Sequence, residues 1–227
     1  MGIFISCAQR IKIPVNRFIT PQTIGGGGEF EIRQQTLTEG LLDFSNGDID
    51  NPLLMGTANQ RGMGLAASLG KSADLSYSVP FESASILAIK VQVLGGSEKA
   101  KATGHQLAVS LGMGAERDTY EGDYEIKMKY DLSDYAVIHG YSFGNIVIYE
   151  GLAYSNYKFR GKITSLDELN GSNITYVADN TLTLYGGVFW HNFPIKAKLE
   201  FGVQSVEWTN TPRTLYYGFG YSFGITW

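Results

Sequence analysis

The sequence predicts an all-β fold, a closed antiparallel up-and-down transmembrane β-barrel of about ten strands. Apolar and polar residues alternate with period two, most clearly toward the C-terminus. Long polar connections alternate with tight turns along the chain. The 227 residues include 28 glycines and 14 tyrosines, a pairing typical of a barrel with a crowded interior and an aromatic outer surface.

The last segment shows the alternation best. Its large apolar residues share one face, namely Leu215, Tyr217, Phe219, Tyr221, Phe223, Ile225 and Trp227. The opposite face carries mostly glycine, serine and threonine. A helix would scatter both sets around its axis, because its period is 3.6 residues.

The same pattern, followed backward, predicts strands at roughly 27–36, 61–70, 73–81, 84–94, 105–116, 129–143, 145–159, 180–190, 194–208 and 213–227. The shortest of these, 73–81, and the stretch 121–135 leave eight or twelve strands as alternatives. An even number is expected when both termini of the chain lie on the periplasmic side. Long external loops are predicted at 37–60, 117–128 and 160–179.

Composition excludes several classes of protein. The chain lacks the run of about 20 apolar residues that a membrane helix needs, and its mean hydropathy is -0.08. A net charge of -4 without a basic block argues against nucleic-acid binding. With Cys7 as the single cysteine, no internal disulfide can form.

The first 26 residues read as an irregular N-terminal segment, and 27–227 as the barrel. Ser6-Cys7 resembles the end of a lipoprotein signal, which makes Cys7 a candidate for lipidation. Residues 8–26 are also a candidate plug of the lumen. Small inward residues on 61–70 and 213–227 leave one wall nearly bare, so we expect water or this segment beside that wall.

The apolar face is predicted to contact lipid, since the other face of the last strand and of 62–70 is mostly glycine, serine and alanine, whereas a water-facing strand normally carries Lys, Glu, Thr and Gln. The alternative is a soluble sandwich with a tyrosine-rich core. Aromatic residues near the strand ends suggest two interfacial girdles. The predicted membrane-interface residues are Tyr157, Trp190, Trp208, Tyr217, Phe219, Tyr221, Phe223 and Trp227.

The terminal strand Tyr217-x-Phe219-x-Tyr221-x-Phe223-x-Ile225-x-Trp227 resembles that of small bacterial outer-membrane β-barrel proteins. The resemblance implies a location in the outer membrane of a Gram-negative cell. It also implies two partners, the membrane lipid and the assembly machinery that reads the C-terminal strand. It implies no activity and no particular external ligand.

The opposite faces of the strands would line the lumen. The predicted lumen-lining residues are Glu29, Glu31, Arg33, Asp74, Lys90, Gln92, Glu116, Glu150, Lys196, Lys198 and Glu200. Buried charges are costly unless they are paired or hydrated. We therefore expect Lys90 to pair with Glu150, and Lys196 or Lys198 to pair with an acid on 27–36.

No catalytic, metal or cofactor site is predicted. His139 and Ser142 are an odd number of residues apart and point to opposite faces, while Ser133 lies about 20 Å from His139 along the strand. The favoured function is a structural or surface-interaction barrel whose lumen is largely filled by polar and charged side chains. A narrow channel for small solutes or hydrophobic molecules is the first alternative, and a rim-sited lipid- or peptide-hydrolysing enzyme the second.

Overall fold

A computed structural model describes residues 10–43, 54–80, 85–121, 125–164, 173–208 and 213–227. The candidate lipidation site, Cys7, lies outside these residues and stays a prediction. Within the described part, no helix is long and apolar enough to cross a membrane.

Eleven strands and one short 3-10 turn make up the described chain. They are β1 (Arg10–Pro14), β2 (Phe30–Asp43), β3 (Leu54–Ser68), β4 (Ala73–Pro80), β5 (Ile86–Leu94), the 3-10 turn η1 (Glu98–Ala100), β6 (Thr103–Glu121), β7 (Glu125–Phe143), β8 (Ile146–Thr164), β9 (Asn173–Asn192), β10 (Ile195–Val206) and β11 (Thr214–Thr226).

Ten of these strands, β2 to β11, form a closed antiparallel ring. Each strand pairs with its neighbours in sequence, and β2 pairs with both β3 and β11, which closes the barrel. The predicted fold class and strand number are therefore confirmed. The remaining strand, β1, lies outside the ring order and pairs with the far end of β2, from Arg10↔Asp43 to Pro14↔Glu39.

The two ends of the barrel differ. At the turn end, short connections join the strands, and Phe30 donates its backbone N–H to the carbonyl of Trp227 over 3.0 Å. At the loop end, β6 and β7 stay paired up to Glu121↔Glu125, and β8 runs to Thr164. The predicted long loops 37–60, 117–128 and 160–179 are thus largely strand, so the strands extend further than the alternation indicated.

The outer face changes polarity between the two ends. Near the turn end it carries an apolar belt, while the interior is charged on β2, β4, β5 and β10 and holds an apolar cluster on β6 to β9 that includes Ile138, Val147 and Phe189. Toward the loop end, the outer face is polar, and the interior holds an apolar cluster. That cluster consists of Ile13, Val15, Tyr130, Leu132, Tyr157, Phe159, Ala178, Val206, Trp208 and Tyr216.

This change in polarity corrects two predicted interface residues. Tyr157 and Trp208 are only 0% and 2% exposed and lie inside the barrel, because an apolar residue beyond the belt points inward. Trp190 and Trp227, at the turn end, are 39% and 59% exposed on the outer face. The aromatic residues of β11, Tyr217, Phe219, Tyr221 and Phe223, also face outward.

The prediction that Glu150 lines the lumen is wrong. Its neighbours Tyr149 and Gly151 are buried, so the carboxylate projects outward within the belt, with a side chain that is 74% exposed. It lies 3.4 Å from Nδ1 of His139, and Nε2 of His139 lies 3.2 Å from Nδ1 of His105. The assignment was wrong because it relied on the charge of Glu150. In a strand, the two-residue period fixes which face each side chain occupies, whatever its chemical type.

We expect Glu150→Leu to raise the free energy of unfolding by about 1 kcal/mol, since an acidic side chain on a lipid-facing surface is unfavourable. Urea unfolding in detergent micelles measures it. The matched variant Glu200→Leu, which removes an inward acid, should instead destabilise the barrel. Destabilisation by both variants would contradict the outward placement of Glu150.

Candidate functional site

The chain before the ring runs through the barrel. Residues 12–25, here called the lumen segment, are almost entirely buried. The segment starts at the loop end, where Ile13 opposes Gly40 of β2. It reaches the turn end where the carbonyl of Thr23 accepts a hydrogen bond from the backbone N–H of Glu98 over 2.9 Å. The two ends of the lumen segment therefore lie at opposite ends of the barrel.

Small residues on β10 and β11 make room for the lumen segment. A Cβ atom at Gly220 would lie 2.6 Å from Cζ of Phe18, and one at Gly218 would lie 2.9 Å from Cβ of Val15. A Cβ atom at Gly202 would also meet Val15, at 3.2 Å from its Cγ1. The lumen segment thus lies against β11, one of the two strands of the expected bare wall, and against Gly202 of β10, on the wall expected to be charged.

The lumen segment also completes a seam between β2 and β11. These strands pair only from Tyr221↔Thr36 to Thr226↔Glu31. Beyond that point, the Thr38 hydroxyl donates to the carbonyl of Phe219 over 3.0 Å. The backbone N–H of Thr38 donates to Oδ1 of Asn16, and its carbonyl accepts the N–H of Val15, each over 2.9 Å. The segment therefore satisfies backbone groups that β11 leaves open.

Glu200 binds the middle of the lumen segment. Its carboxylate accepts the backbone N–H of Arg17 over 2.6 Å and that of Phe18 over 2.9 Å. The hydroxyl of Tyr149 donates to the same carboxylate over 2.9 Å. All four residues are buried, so Glu200 fixes a sharp bend at Phe18, where φ is +52°.

The Arg17 side chain crosses the lumen to the opposite wall. One guanidinium nitrogen, Nη2, lies 3.3 Å from Asp134 and donates to the hydroxyls of Ser155 over 2.9 Å and Tyr157 over 3.1 Å. Ser155 donates in turn to Asp134 over 2.5 Å. Arg17 is thus a buried cation whose counter-ion is carried by the barrel wall.

A second set of contacts holds the segment near the turn end. The backbone N–H of Ile24 donates to Asp74 over 3.0 Å, and that of Thr23 donates to Gln92 over 3.0 Å. Lys90 lies 3.2 Å from Asp74 and donates to the carbonyl of Gln22. The predicted pair Lys90–Glu150 is therefore wrong, and Asp74 takes the place of Glu150.

Lys196 and Lys198 lie in the same polar region. Nζ of Lys196 lies 2.7 Å from Glu31, as expected for an acid on the first strand of the ring, and also contacts Glu98. Lys198 donates to the carbonyl of Phe18 over 3.2 Å. Sequence reasoning missed Glu98, because it belongs to the 3-10 turn. Burial raises the pKa of Glu98 in spite of its contact with Lys196.

Arg33, Glu29 and Glu116 are the remaining predicted lumen residues, and Arg33 lines two cavities inside the barrel. Arg33 is buried and lies 3.6 Å from Glu31. Glu29 precedes β2 at the rim, where the hydrogen bond from Lys99 lowers its pKa. The backbone of Glu116 opposes Tyr130, and its side chain lies outside the described part of the structure.

Four consecutive glycines turn the chain from the lumen into β2. Gly25, Gly26, Gly27 and Gly28 have φ values of +83°, +98°, +123° and +87°. Only glycine adopts such values without strain. A Cβ atom at Gly27 would have its nearest neighbour 3.9 Å away, so backbone strain alone opposes a side chain there.

We expect Gly27→Ala to lower the free energy of unfolding by about 1–2 kcal/mol, the cost of placing an L-residue in a left-handed conformation. Gly112→Ala is the control, because its Cβ atom would sit at least 3.3 Å from its neighbours at an ordinary φ. Urea titration of both variants measures the difference. Equal losses would show that the turn conformation is not required.

Two small cavities lie between the lumen segment and the wall formed by β2 to β7. Their volumes are about 30 and 40 Å³. Because one water molecule needs about 10–15 Å³ of such volume, each cavity has room for a few waters.

The described residues contain no group of three His, Cys, Asp or Glu side chains placed to hold a metal ion. Ser142 is buried, and His139 faces outward, so the structure does not bring them together. Ser133 is on the same face as His139 but six positions away along β7. The arrangement found is a filled lumen rather than a nucleophile with its base.

No protein-family model matches the chain. No curated protein matches its sequence. Among solved structures, the chain is similar to Ail, the attachment invasion locus protein of Yersinia pestis, crystallised in complex with the heparin analogue sucrose octasulfate. Identity is 11%, the alignment covers 89% of this chain and 100% of that chain, and the TM-score is 0.39. Similarity at this level leaves the function to be inferred from the barrel itself.

Proposed function

We propose that the chain is an integral outer-membrane barrel that its own N-terminal segment closes, and that it acts through its exposed surfaces rather than by conducting solutes. The belt supports the membrane location. On β10, for example, Ile195, Leu199 and Phe201 are each about half exposed on one face. In water such a surface would be unstable, whereas in a bilayer it is the expected lipid contact.

The burial of the lumen segment among charged partners is the observation that supports a closed lumen. Glu200, Asp134 and Asp74 bind the segment at successive levels. Such contacts span the lumen from one wall to the other, so a solute path would require them to break together. This supports a structural or surface-interaction barrel over the narrow channel.

Conductance in planar bilayers tests this proposal. We expect the full chain to give no stable current steps and a variant lacking residues 10–22 to give them, because the ring starts only at Phe30. A variant lacking residues 1–9 keeps the lumen segment and should also give no stable current steps. Heat-modifiable gel migration shows that each variant is folded. Equal currents from the full chain and the 10–22 deletion would contradict closure.

The C-terminal strand supports a proposal about assembly. Phe219, Phe223 and Trp227 form an exposed aromatic row that ends at the last residue, and we propose that the outer-membrane assembly machinery reads it. Trp227→Ala should lower the amount of heat-modifiable protein recovered from the outer-membrane fraction. Unchanged recovery would show that the assembly machinery does not depend on Trp227.

A further inference from the structure

A group of cations lies beyond the belt on the outer face of β7 and β8. We define the cationic surface as Lys129, Lys158 and Arg160, together with Asp131 between them. Lys129 is directly opposite Arg160, and Asp131 is directly opposite Lys158.

On this surface, three described cations share one described carboxylate. Like charges directly opposite one another destabilise a sheet. A single carboxylate, Asp131, serves two cations, with Nη2 of Arg160 and Nζ of Lys129 each 3.1 Å away. Lys158 has no acidic partner within salt-bridge distance among the residues that the structure describes. Among the side chains that the structure describes, this surface therefore carries more positive than negative charge.

The wall three strands away differs. Beyond the belt near β10 and β11, Arg213 lies 3.1 Å from Glu207 in an exposed pair. Charge is thus balanced there and unbalanced on β7 and β8. The asymmetry favours a ligand that meets one side of the barrel.

The height of the cationic surface above the apolar belt indicates which kind of anion it binds. Tyr135 and Tyr154 are the last exposed aromatic residues of the belt on β7 and β8, with ring centroids 6.4 Å apart. Lys158 lies four residues beyond Tyr154, about 13 Å along the strand. With a strand tilt of about 40°, this is about 10 Å above the apolar edge, the level of lipid headgroups.

An open groove adjoins the cations. Its volume is about 460 Å³, and its lining includes Asp131, Ser133, Asn156 and Lys158. Lysine and arginine bind phosphate as donors and counter-charges, and the hydroxyl and amide groups add neutral donors. The groove is large enough for a phosphorylated headgroup.

We propose that the cationic surface binds the phosphate of a membrane lipid headgroup in the leaflet at the loop end. This inference rests on the proposed membrane location. The lipid brings its phosphate to this height while its acyl chains cover the belt below. A free phosphate or a soluble polyanion would have no such reason to prefer a site at the edge of the belt.

Native mass spectrometry of lipids retained from mixed micelles tests the proposal, with phosphatidic acid as the probe and phosphatidylcholine as the reference lipid. The full chain should retain phosphatidic acid selectively. The triple variant Lys129→Gln, Lys158→Gln, Arg160→Gln should bind it at least about tenfold more weakly, since each basic residue near a membrane surface contributes about fivefold. The control Arg61→Gln, Arg213→Gln, on other strands, should bind as the full chain does.

Three outcomes would overturn the proposal. They are equal retention by the triple variant, loss of retention in the control, and displacement of phosphatidic acid by millimolar inorganic phosphate. Heat-modifiable gel migration of the same samples tests the membrane location separately from lipid binding. A chain that stays monodisperse without detergent would refute the location itself.

Discussion

Replacing Arg17 by glutamine should lower the free energy of unfolding by about 3–5 kcal/mol, the range found when one partner of a buried ion pair is removed. Asp134, which is 4% exposed, would then lose its cationic partner. The hydroxyls of Ser155 and Tyr157 would lose the donor that now joins them to the lumen segment. Urea unfolding of the folded barrel in micelles gives the value.

Arg213→Gln is the control for this variant. Arg213 also lies near a carboxylate, that of Glu207, at 3.1 Å, but both side chains are more than half exposed. The substitution Arg213→Gln should lower the free energy of unfolding by less than about 1 kcal/mol. Similar small effects from both substitutions would show that Arg17 does not anchor the lumen segment.

Val109→Arg should destabilise the barrel by about 2–4 kcal/mol, the cost of a cation on the lipid-facing surface near the bilayer midplane. Val109 is 37% exposed and lies midway along the belt part of β6. In a water-soluble barrel the same substitution would be nearly neutral, since an exposed arginine is readily hydrated. The sign and size of the effect thus depend on the solvent of this face.

Ala115→Arg provides a matched control, six residues further along the same strand and face. Ala115 is exposed beyond the belt, where arginine should cost at most about 1 kcal/mol. Both variants are compared by urea titration in lipid vesicles. Equal values at the two positions would contradict the location of the belt edge between them.

The ring could be predicted because the alternation that defines the two faces of a strand is local in sequence. Along β11, small residues alternate with aromatic ones from Tyr217 to Phe223, and Tyr221 opposes Leu199 of β10 on the same outer face. The charged inward residues of β10, from Lys196 to Glu200, follow the same rule. The fold class and most inward positions therefore follow from the pattern within single strands.

The length of the strands could not be predicted, because the pattern reverses beyond the belt. Lys129 and Arg160 face outward there, while Tyr157 and Phe159 face inward. Reasoning that equates apolar with outward assigns the wrong face to Tyr157. Glu150 shows the converse, since a charged residue inside the belt lies on the lipid-facing side.

The path of the lumen segment also could not be predicted from the sequence pattern. Its contacts join residues far apart in the chain, such as Arg17 with Glu200 and Arg17 with Asp134. Asn16 contributes a single hydrogen bond at the seam, which leaves no periodic signal. The small residues of the bare wall, among them Gly218, were the signal that something had to fill the space.

The central claim, that residues 12–25 occupy the lumen, is tested most directly by a disulfide between Val15→Cys and Gly218→Cys in a Cys7→Ser background. A Cβ atom at Gly218 would lie 2.9 Å from Cβ of Val15, within a small shift of the roughly 3.5–4.5 Å that a disulfide needs. Val15→Cys with Gly112→Cys is the control, because the nearest side chains to Gly112 belong to Ile86, Ala88 and Asp134. After mild oxidation in membranes and denaturation, we expect the first pair to resist maleimide labelling and the control pair to be labelled. Full labelling of both pairs would contradict the threaded lumen.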